Sequence, residues 1–300
     1  MKFAVTGGAG FVGNNIVKLL VSKGYSVVVI DNLHTGKKKN LEEIFRKIEF
    51  HQTDIRNYDE MEKILKNVDG IFHEAALTIV QESFDKKEEY FDVNVKGTEN
   101  IFKISNKFKK KVVFASSSSI YGDSKQIPIK ENSTRNPINP YGQTKLDVEL
   151  LAEKYANNGL NVIGLRYFNI FGKGQTGSYA GVITQFLRRL KEQKPPSVYG
   201  DGTQIRDFIH VSDIAEANLS AMLSKTNSGF FNIGTSVGTK IIDLAKIMIK
   251  IFDESFEPIF QDSLKGDVKI SQADTILTKK MIGWEYKITL EEGLRKFILE

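Results

Sequence analysis

Hydrophobic residues in the first half of the chain come in short unbroken runs, separated by stretches with helical spacing. KFAVT (2–6), YSVVVID ending at Asp31, IEFHQTD, GIFHEAA, KVVFASS and NVIGLRYF (161–168) are the runs. A strand with one wet face alternates apolar and polar residues. Continuous apolar runs predict strands buried on both faces. Between the first two, residues 11–23 carry Ile16, Leu19 and Leu20 at helical spacing. Strands of this kind alternating with helices predict an α/β fold, a Rossmann-like doubly wound parallel sheet.

After Phe168 the rhythm breaks. FNIFGKGQTGSYAG is rich in glycine and aromatics and reads as loop. A helix is expected near 181–192, followed by the Pro/Gly-punctuated stretch KPPSVYGDGTQIRDF. VSDIAEANLSAML reads as helix with Asp213 early in it, and FFNIG as one more buried strand. IIDLAKIMIKIF and LEEGLRKFI are helical, with short elements between them. The pattern predicts a nucleotide-binding domain and a smaller, interleaved C-terminal segment that closes over it.

Composition narrows the chemistry. The 300 residues include no Cys, so thiol nucleophiles, disulfides and thiolate metal sites are excluded. The four His are scattered without ligand spacing, and no metal site is expected. Net charge is +5, but the runs Lys37–Lys39 and Lys109–Lys111 have no interleaved aromatics, so nucleic acid is not an expected partner. MKFAVTGGAG enters a strand at once without a signal-peptide pattern, and no apolar run approaches the roughly 20 residues of a membrane helix. A cytoplasmic protein with no membrane partner is the expectation.

TGGAGFVG joins the first strand to the first helix and satisfies both G-x-G-x-x-G (Gly8, Gly10, Gly13) and G-x-x-G-x-x-G (Gly7, Gly10, Gly13). Such glycines permit a tight turn and let backbone N–H groups approach a pyrophosphate at a helix N-terminus. Asp31 closes the second strand roughly 20 residues on, where an acid accepts from both adenosine ribose hydroxyls and repels a 2′-phosphate. The cofactor predicted is NAD rather than NADP.

A Tyr with a Lys four places on occurs twice, as Tyr121/Lys125 and Tyr141/Lys145. Gly122, Asp123 and Pro128 give the first pair turn chemistry. The second opens a helix, with Asn139 as cap, Pro140 in the first turn and Leu146, Leu150 and Leu151 continuing the pattern. Positions i and i+4 share a helix face, so Tyr141 and Lys145 point the same way. A phenol of pKa about 10 is a poor base near neutral pH, and a nearby ammonium pulls it down. Tyr141 and Lys145 are the expected proton-transfer pair.

TGGAGFVG, Asp31, SSSSIYG, PYGQTK and LRYFN, with YGDGTQIRDFIHVSD, FNIG, GDVKISQAD and GWEY…LEEGL further on, resemble the extended short-chain dehydrogenase/reductase family, in particular its UDP-sugar 4-epimerases. The resemblance covers nearly the whole chain. It implies an NAD-binding domain of residues 1–168 and 205–236 and a nucleotide-sugar domain of residues 169–204 and 237–300. It implies inversion at C4 of a UDP-hexose through a transient ketone, with a UDP-sugar as partner and a homodimer formed through helices near 81–108 and 140–157.

The resemblance also assigns roles. The catalytic hydroxyl stands four residues before Tyr121, at Ser117, with Ser118 the alternative; Ser116 and Ser119 are then supports and Tyr121 a wall of the site. Relatives that eliminate water carry Asp-Glu after this Ser, and decarboxylating relatives a Glu; here Ser118 and Ser119 follow, which favours simple epimerisation. Cofactor contacts are expected from Gly7, Gly10, Phe11, Val12, Gly13, Asp31, Asn32, Asp54, Ile55, Ala75, Asn94, Tyr141, Lys145 and Phe168. Substrate contacts are expected from Ser117, Asn169, Val182, Tyr199, Arg206 and Asp267, with Arg206 on the diphosphate unless it pairs with Asp207 or Asp213.

Two positions depart from the pattern. The family's Arg two places before Gly-Asp is Leu264 here, with Lys265 adjacent. Four residues past Asp267, where a bulky Tyr goes with plain hexoses, stands Ser271, which implies room for an N-acetyl group unless a neighbour fills it. The competing readings are another nucleotide-sugar epimerase or reductase of the family, such as a uronic acid 4-epimerase, and a non-catalytic NAD(H) sensor.

Overall fold

The computed structural model describes residues 1–175, 181–263 and 268–299. In chain order the strands are β1 (Lys2–Thr6), β2 (Ser26–Ile30), β3 (Ile48–His51), β4 (Gly70–His73), β5 (Lys111–Ser117), β6 (Val162–Tyr167) and β7 (Asn169–Phe171). They continue as β8 (Ser197–Tyr199), β9 (Ile205–His210), β10 (Ser228–Ile233), β11 (Gly238–Lys240), β12 (Ile259–Gln261) and β13 (Ile270–Ser271).

The expected buried runs assemble into a seven-stranded sheet of order β10-β6-β5-β4-β1-β2-β3, with every pairing parallel. β1, β2, β4 and β6 are buried almost throughout, which is why they read as continuous apolar runs. One face packs Val5, Val29, Phe72, Val113 and Leu165 against Ile16, Leu20 and Ile214 from helices. The other packs Ala4, Val28, Ile71, Val112 and Phe114 against Ile101, Phe102 and Val148. Strand order reverses between β1 and β4, and the crevice at that switch point is where such sheets bind ligands.

Two stretches differ from expectation. The loop after Phe168 contains β7, and the stretch punctuated by prolines and glycines contains β8 and β9. β9 organises a smaller sheet, parallel to β7 and β13 and antiparallel to β11, and β8 pairs with β12. Three-residue strands carry no readable period; they exist because distant partners supply their hydrogen bonds. Among the described residues no helix is long and apolar enough to cross a membrane.

A buried ion pair ties the layers together. Glu149 on the Pro140–Asn157 helix accepts from Arg166 Nε and Nη2 of β6, both at 2.8 Å, and from Ser116 Oγ of β5 at 2.6 Å. Arg166 Nη1 also donates to Tyr121 Oη at 2.7 Å, which donates to Asn232 Oδ1 of β10 at 2.7 Å. Asn232 Nδ2 donates in turn to the carbonyls of Ile129 and Asp274. Removing one partner of a buried pair leaves the other charge poorly compensated, here with the longer 3.3 Å contact from Arg135 Nη1 to Glu149 Oε2 remaining. Arg166→Met is therefore expected to cost about 3–5 kcal/mol, measured as a lowered denaturant midpoint.

Candidate active site

β1 ends at Thr6, and Gly7 turns the chain with φ +66°. A Cβ on Gly7 would lie 2.7 Å from Ala75 N and 2.9 Å from the Glu74 carbonyl carbon, so the loop closes on the end of β4 across the switch point. A Cβ on Gly13 would lie 2.1 Å from the Gly7 carbonyl oxygen. Gly10 caps the Phe11–Ser22 helix without a side-chain hydrogen bond, and no acidic residue stands in its first turn. Phe11 and Val12 thus open an uncapped helix N-terminus with its amides and positive dipole end available to a phosphate.

Asp31 follows β2, its carboxylate accepting from Ala9 N at 2.9 Å and Leu33 N at 2.7 Å. Burial pushes this carboxyl up, against those two bonds. A carboxylate has about four acceptor sites, so ribose hydroxyls find capacity here. Gly36 lies over it: a Cβ there would stand 2.8 Å from Asp31 Oδ2. Asn32 Nδ2 donates to Asp54 Oδ2 at 2.9 Å, and the Arg56 guanidinium holds Asp54 down at about 2. Ile55 is buried, close enough to the backbone at Gly97 that a Cβ there would collide with it. The residues present fit a dinucleotide: an anion cradle, a ribose acid and an apolar base contact in one cleft.

The Pro140–Asn157 helix begins as its sequence predicts, with Asn139 Oδ1 accepting from Gly142 N at 2.8 Å and Pro140 in the first turn. Tyr141 and Lys145 share its buried face at 9% and 5% exposure. Lys145 Nζ lies 5.8 Å from the Tyr141 ring centre and donates to Ala115 O of β5 at 2.8 Å. The four serines separate by position. Ser116 is bound to Glu149; Ser117 accepts from Ser119 N and donates to Ser119 Oγ, both at 3.1 Å, and its hydroxyl is near enough to the Tyr141 phenol to pull it down. Lys125 is exposed, whereas Tyr121 is buried, its hydroxyl bonded to Arg166 and Asn232.

The electrostatics differ from a simple ammonium-on-phenol reading. Burial pushes the Tyr141 phenol up to about 12, and only the Ser117 hydroxyl opposes this, while Glu74 adds to it. Burial pushes the Lys145 ammonium down to about 8, opposed by Glu74 and Glu149. The pair is close and desolvated, and the chain alone holds the phenol protonated.

Ala75 stands beside the glycine loop. Asn94, in a π-helical turn from Asp92 to Lys96, is buried, its side chain bonded to Leu77 N and O and to Thr144 Oγ1, so it braces the loop after β4 against the catalytic helix. Phe168 packs with Ile120, Tyr121, Ile129 and Ala273. On the smaller sheet, register places Ser271 opposite Arg206 and Asn169 opposite Phe208, two residues on. Side chains alternate along a strand, so Asn169, Arg206 and Ser271 share a face. Asp207 is engaged by Thr235 N and Oγ1, Ser236 N and Ala273 N, and Asp213 by the amides of Lys287 and Ile288. Val182 opens the helix to Lys191, and Tyr199 ends β8. Asp267, Leu264 and Lys265 lie outside the described residues.

Sequence reasoning missed Glu74, Arg166 and Glu149. An acid directly after a buried strand, as in GIFHEAA, was the available signal for Glu74. The Arg166–Glu149 pair had none, because nothing local marks a charge on an apolar strand as paired with a helix.

Residues 3–234 match the model of the NAD dependent epimerase/dehydratase family. A UDP-glucose 4-epimerase of Lacticaseibacillus casei is 34% identical, over 95% of this chain and 92% of that protein. The crystal structure of the Thermotoga maritima UDP-glucose 4-epimerase with UDP-glucose superposes with a TM-score of 0.95 at 35% identity, covering 100% of this chain and 98% of that one. A UDP-N-acetylglucosamine 4-epimerase from Methanobrevibacter ruminantium M1, in complex with UDP-N-acetylmuramic acid, has a TM-score of 0.95 at 34% identity, covering 99% and 97%.

Alanine in place of a helical glycine ordinarily gains about 1 kcal/mol. At Gly13 the new Cβ meets backbone, and Gly13→Ala is expected to lose roughly 1–3 kcal/mol instead, read from the denaturant midpoint.

Proposed function

The chain belongs to the NAD dependent epimerase/dehydratase family, and from that premise we propose that it inverts C4 of a UDP-hexose with NAD as a resident cofactor. The observation that carries this reading is the buried Tyr141–Lys145 face, with Lys145 tied to β5 and Ser117 at that strand's C-terminal end, beside the glycine cradle.

The amides at the start of the Phe11–Ser22 helix, with Gly7, Gly10 and Gly13, hold the pyrophosphate, and Asp31 holds the adenosine ribose. Bound NAD supplies a reversible hydride acceptor. Lys145 orients the nicotinamide ribose and, as an ammonium, favours phenolate at Tyr141. Tyr141 takes the proton from the sugar 4-hydroxyl and returns it when the transient ketone is reduced on its other face. Ser117 hydrogen-bonds the 4-oxygen through both steps. Arg206, with Asn169 beside it on the smaller sheet, anchors the diphosphate while the sugar turns; a guanidinium fork suits phosphate oxygens. Asp267 is assigned to the uridine ribose, and Val182 and Tyr199 flank the base.

Residues 1–168 and 205–236 form the cofactor part of this scheme, and residues 169–204 and 237–300 the sugar-nucleotide part. The assembly proposed is a cytoplasmic homodimer through the helices of residues 81–108 and 140–157. Phe91 at 44% and Leu150 at 47% exposure leave apolar surface on those helices.

Small Ser271 beside Arg206 favours acceptance of an N-acetyl group on the sugar. Incubation with UDP-glucose and with UDP-N-acetylglucosamine, without added reductant, should yield the C4 epimer of each by NMR; undetectable turnover of the N-acetyl sugar alone would reject the open gate, and turnover of neither would reject the reading. Ser271→Tyr is expected to lose the N-acetyl substrate and keep UDP-glucose. Tyr141→Phe should retain NAD, measured by its absorbance after denaturation, and lose about 10²–10⁴-fold in kcat. A sensor or a reductase separates cleanly: the first has no turnover to lose, and the second consumes NADH stoichiometrically.

A further inference from the structure

The segment between β4 and the Val80–Asp85 helix has no periodic pattern, yet its backbone is held at Leu77 and again at Ile79. It starts at Ala75, beside the glycine loop. Asn94 holds both polar groups of Leu77, its Oδ1 accepting from Leu77 N at 2.8 Å and its Nδ2 donating to Leu77 O at 2.9 Å. Two residues on, Tyr90 Oη accepts from Ile79 N at 3.0 Å and lies 2.8 Å from Ile79 O. At the far end Ser83 Oγ donates to Val80 O at 2.6 Å and accepts from Tyr141 N at 3.1 Å. Residues 75–83 thus form a strap from the phosphate cradle to the backbone of Tyr141.

Ile79 caps the Val80–Asp85 helix, and an isoleucine has no side-chain oxygen for that task. In a capping box the Glu at the third helical position reaches back to the N–H of the cap. Glu82 stands at that position, but the Tyr90 hydroxyl is interposed. It accepts from Ile79 N, and its one proton is shared between Ile79 O and Glu82 Oε2, the latter at 3.1 Å. Glu82 also accepts from Lys86 Nζ at 2.7 Å. Tyr90 comes from the Lys87–Phe91 helix and Asn94 from the π-helical turn that follows, and both reach the strap. The Tyr90 ring is buried in one cluster with Leu77 and Tyr141, with Val80 and Val93 packed against it.

We propose that Tyr90 is a positioning residue: its hydroxyl fixes the strap, and the strap fixes the backbone from which the Tyr141 phenol projects. The purpose of that placement rests on the epimerase reading; the placement itself does not. Thr144 Oγ1 donates to Tyr141 O at 2.8 Å and accepts from Asn94 Nδ2 at 3.1 Å. Tyr141 is therefore held at its carbonyl through Asn94 and at its amide through Ser83. Ser83 stands where the strap puts it, its own amide donating at 3.1 Å to Ile79 O, the carbonyl that faces Tyr90. Without the hydroxyl, Ile79 N loses its acceptor, and an unsatisfied backbone donor pulls the strap toward a new arrangement. A shift of about one ångström at a reacting group costs about 10²-fold in rate. The ring supplies the packing, and a phenylalanine keeps it.

Tyr90→Phe in the NAD-loaded protein is the test, since only the hydroxyl is removed. Expected is a fall in kcat of about 10–10²-fold. KM for UDP-glucose should stay within about threefold, the pattern of an interaction felt only in the transition state, and bound NAD should match the parent. Amide hydrogen exchange read by mass spectrometry should quicken over residues 76–84 and 140–145 and keep its parent rate in β1. Ser83→Ala, which removes the acceptor of Tyr141 N, should give the same kcat loss. The double variant should lose no more than the worse single one, because both act through one strap. A parental kcat in Tyr90→Phe, a loss confined to KM, or losses that multiply in the double variant overturns the proposal. If Tyr90→Phe folds poorly, Ser83→Ala decides: a parental kcat there overturns it as well. If the parent protein yields no C4 epimer, the epimerase reading has failed, and exchange over residues 140–145 judges the strap: a parental rate in Tyr90→Phe overturns it.

Discussion

The buried pair between Arg166 and Glu149 is the constraint on which the site depends. It fastens the helix carrying Tyr141 and Lys145 to the strands carrying Ser117 and Tyr167. Two parallel charge-assisted bonds fix orientation as well as distance. Helix and strands could otherwise slide along an apolar interface, and a movement of one ångström there would separate phenol, serine and ammonium. The same guanidinium reaches Tyr121 and, through Asn232, the backbone at Ile129 and Asp274. The backbone at Ile129, and at Asp274 just past β13, is thereby tied to the same fixed point as the helix of Tyr141 and Lys145.

Above that point the site is dry, and dryness sets its electrostatics. Burial raises the phenol and the Glu74 carboxyl and lowers the ammonium, so the carboxyl and the ammonium are drawn together near about 8 while the phenol moves away to about 12. Charge on any one of them is then decided by the others and by what binds. Tyr141 rests protonated in the chain alone. Under the proposed function, NAD bound beside it would supply a positive charge that favours its ionisation, so the base would form only in the loaded site.

The two lobes are unequal in how they were legible. The NAD lobe announces itself because each strand is long enough, and buried enough, to show as an apolar run, and because glycine is required at fixed backbone positions: Gly7 in the left-handed region, Gly13 against a carbonyl. The helix from Pro140 was equally clear from its cap and spacing. The smaller sheet was not. β7, β8 and β13 span two or three residues each, below any period, and their pairing joins segments up to 65 residues apart.

The sequence by itself determined the sheet type, the cofactor cradle, the acid at Asp31 and the shared face of Tyr141 and Lys145. All of these follow from local spacing and from backbone geometry that one residue type permits. Only the tertiary structure decided how deeply Tyr141 and Lys145 are buried, which residue answers Glu74, and which charge answers Arg166. Those depend on how far each group is removed from water and on what crosses from other strands. Neither is written in the residues adjacent to it along the chain.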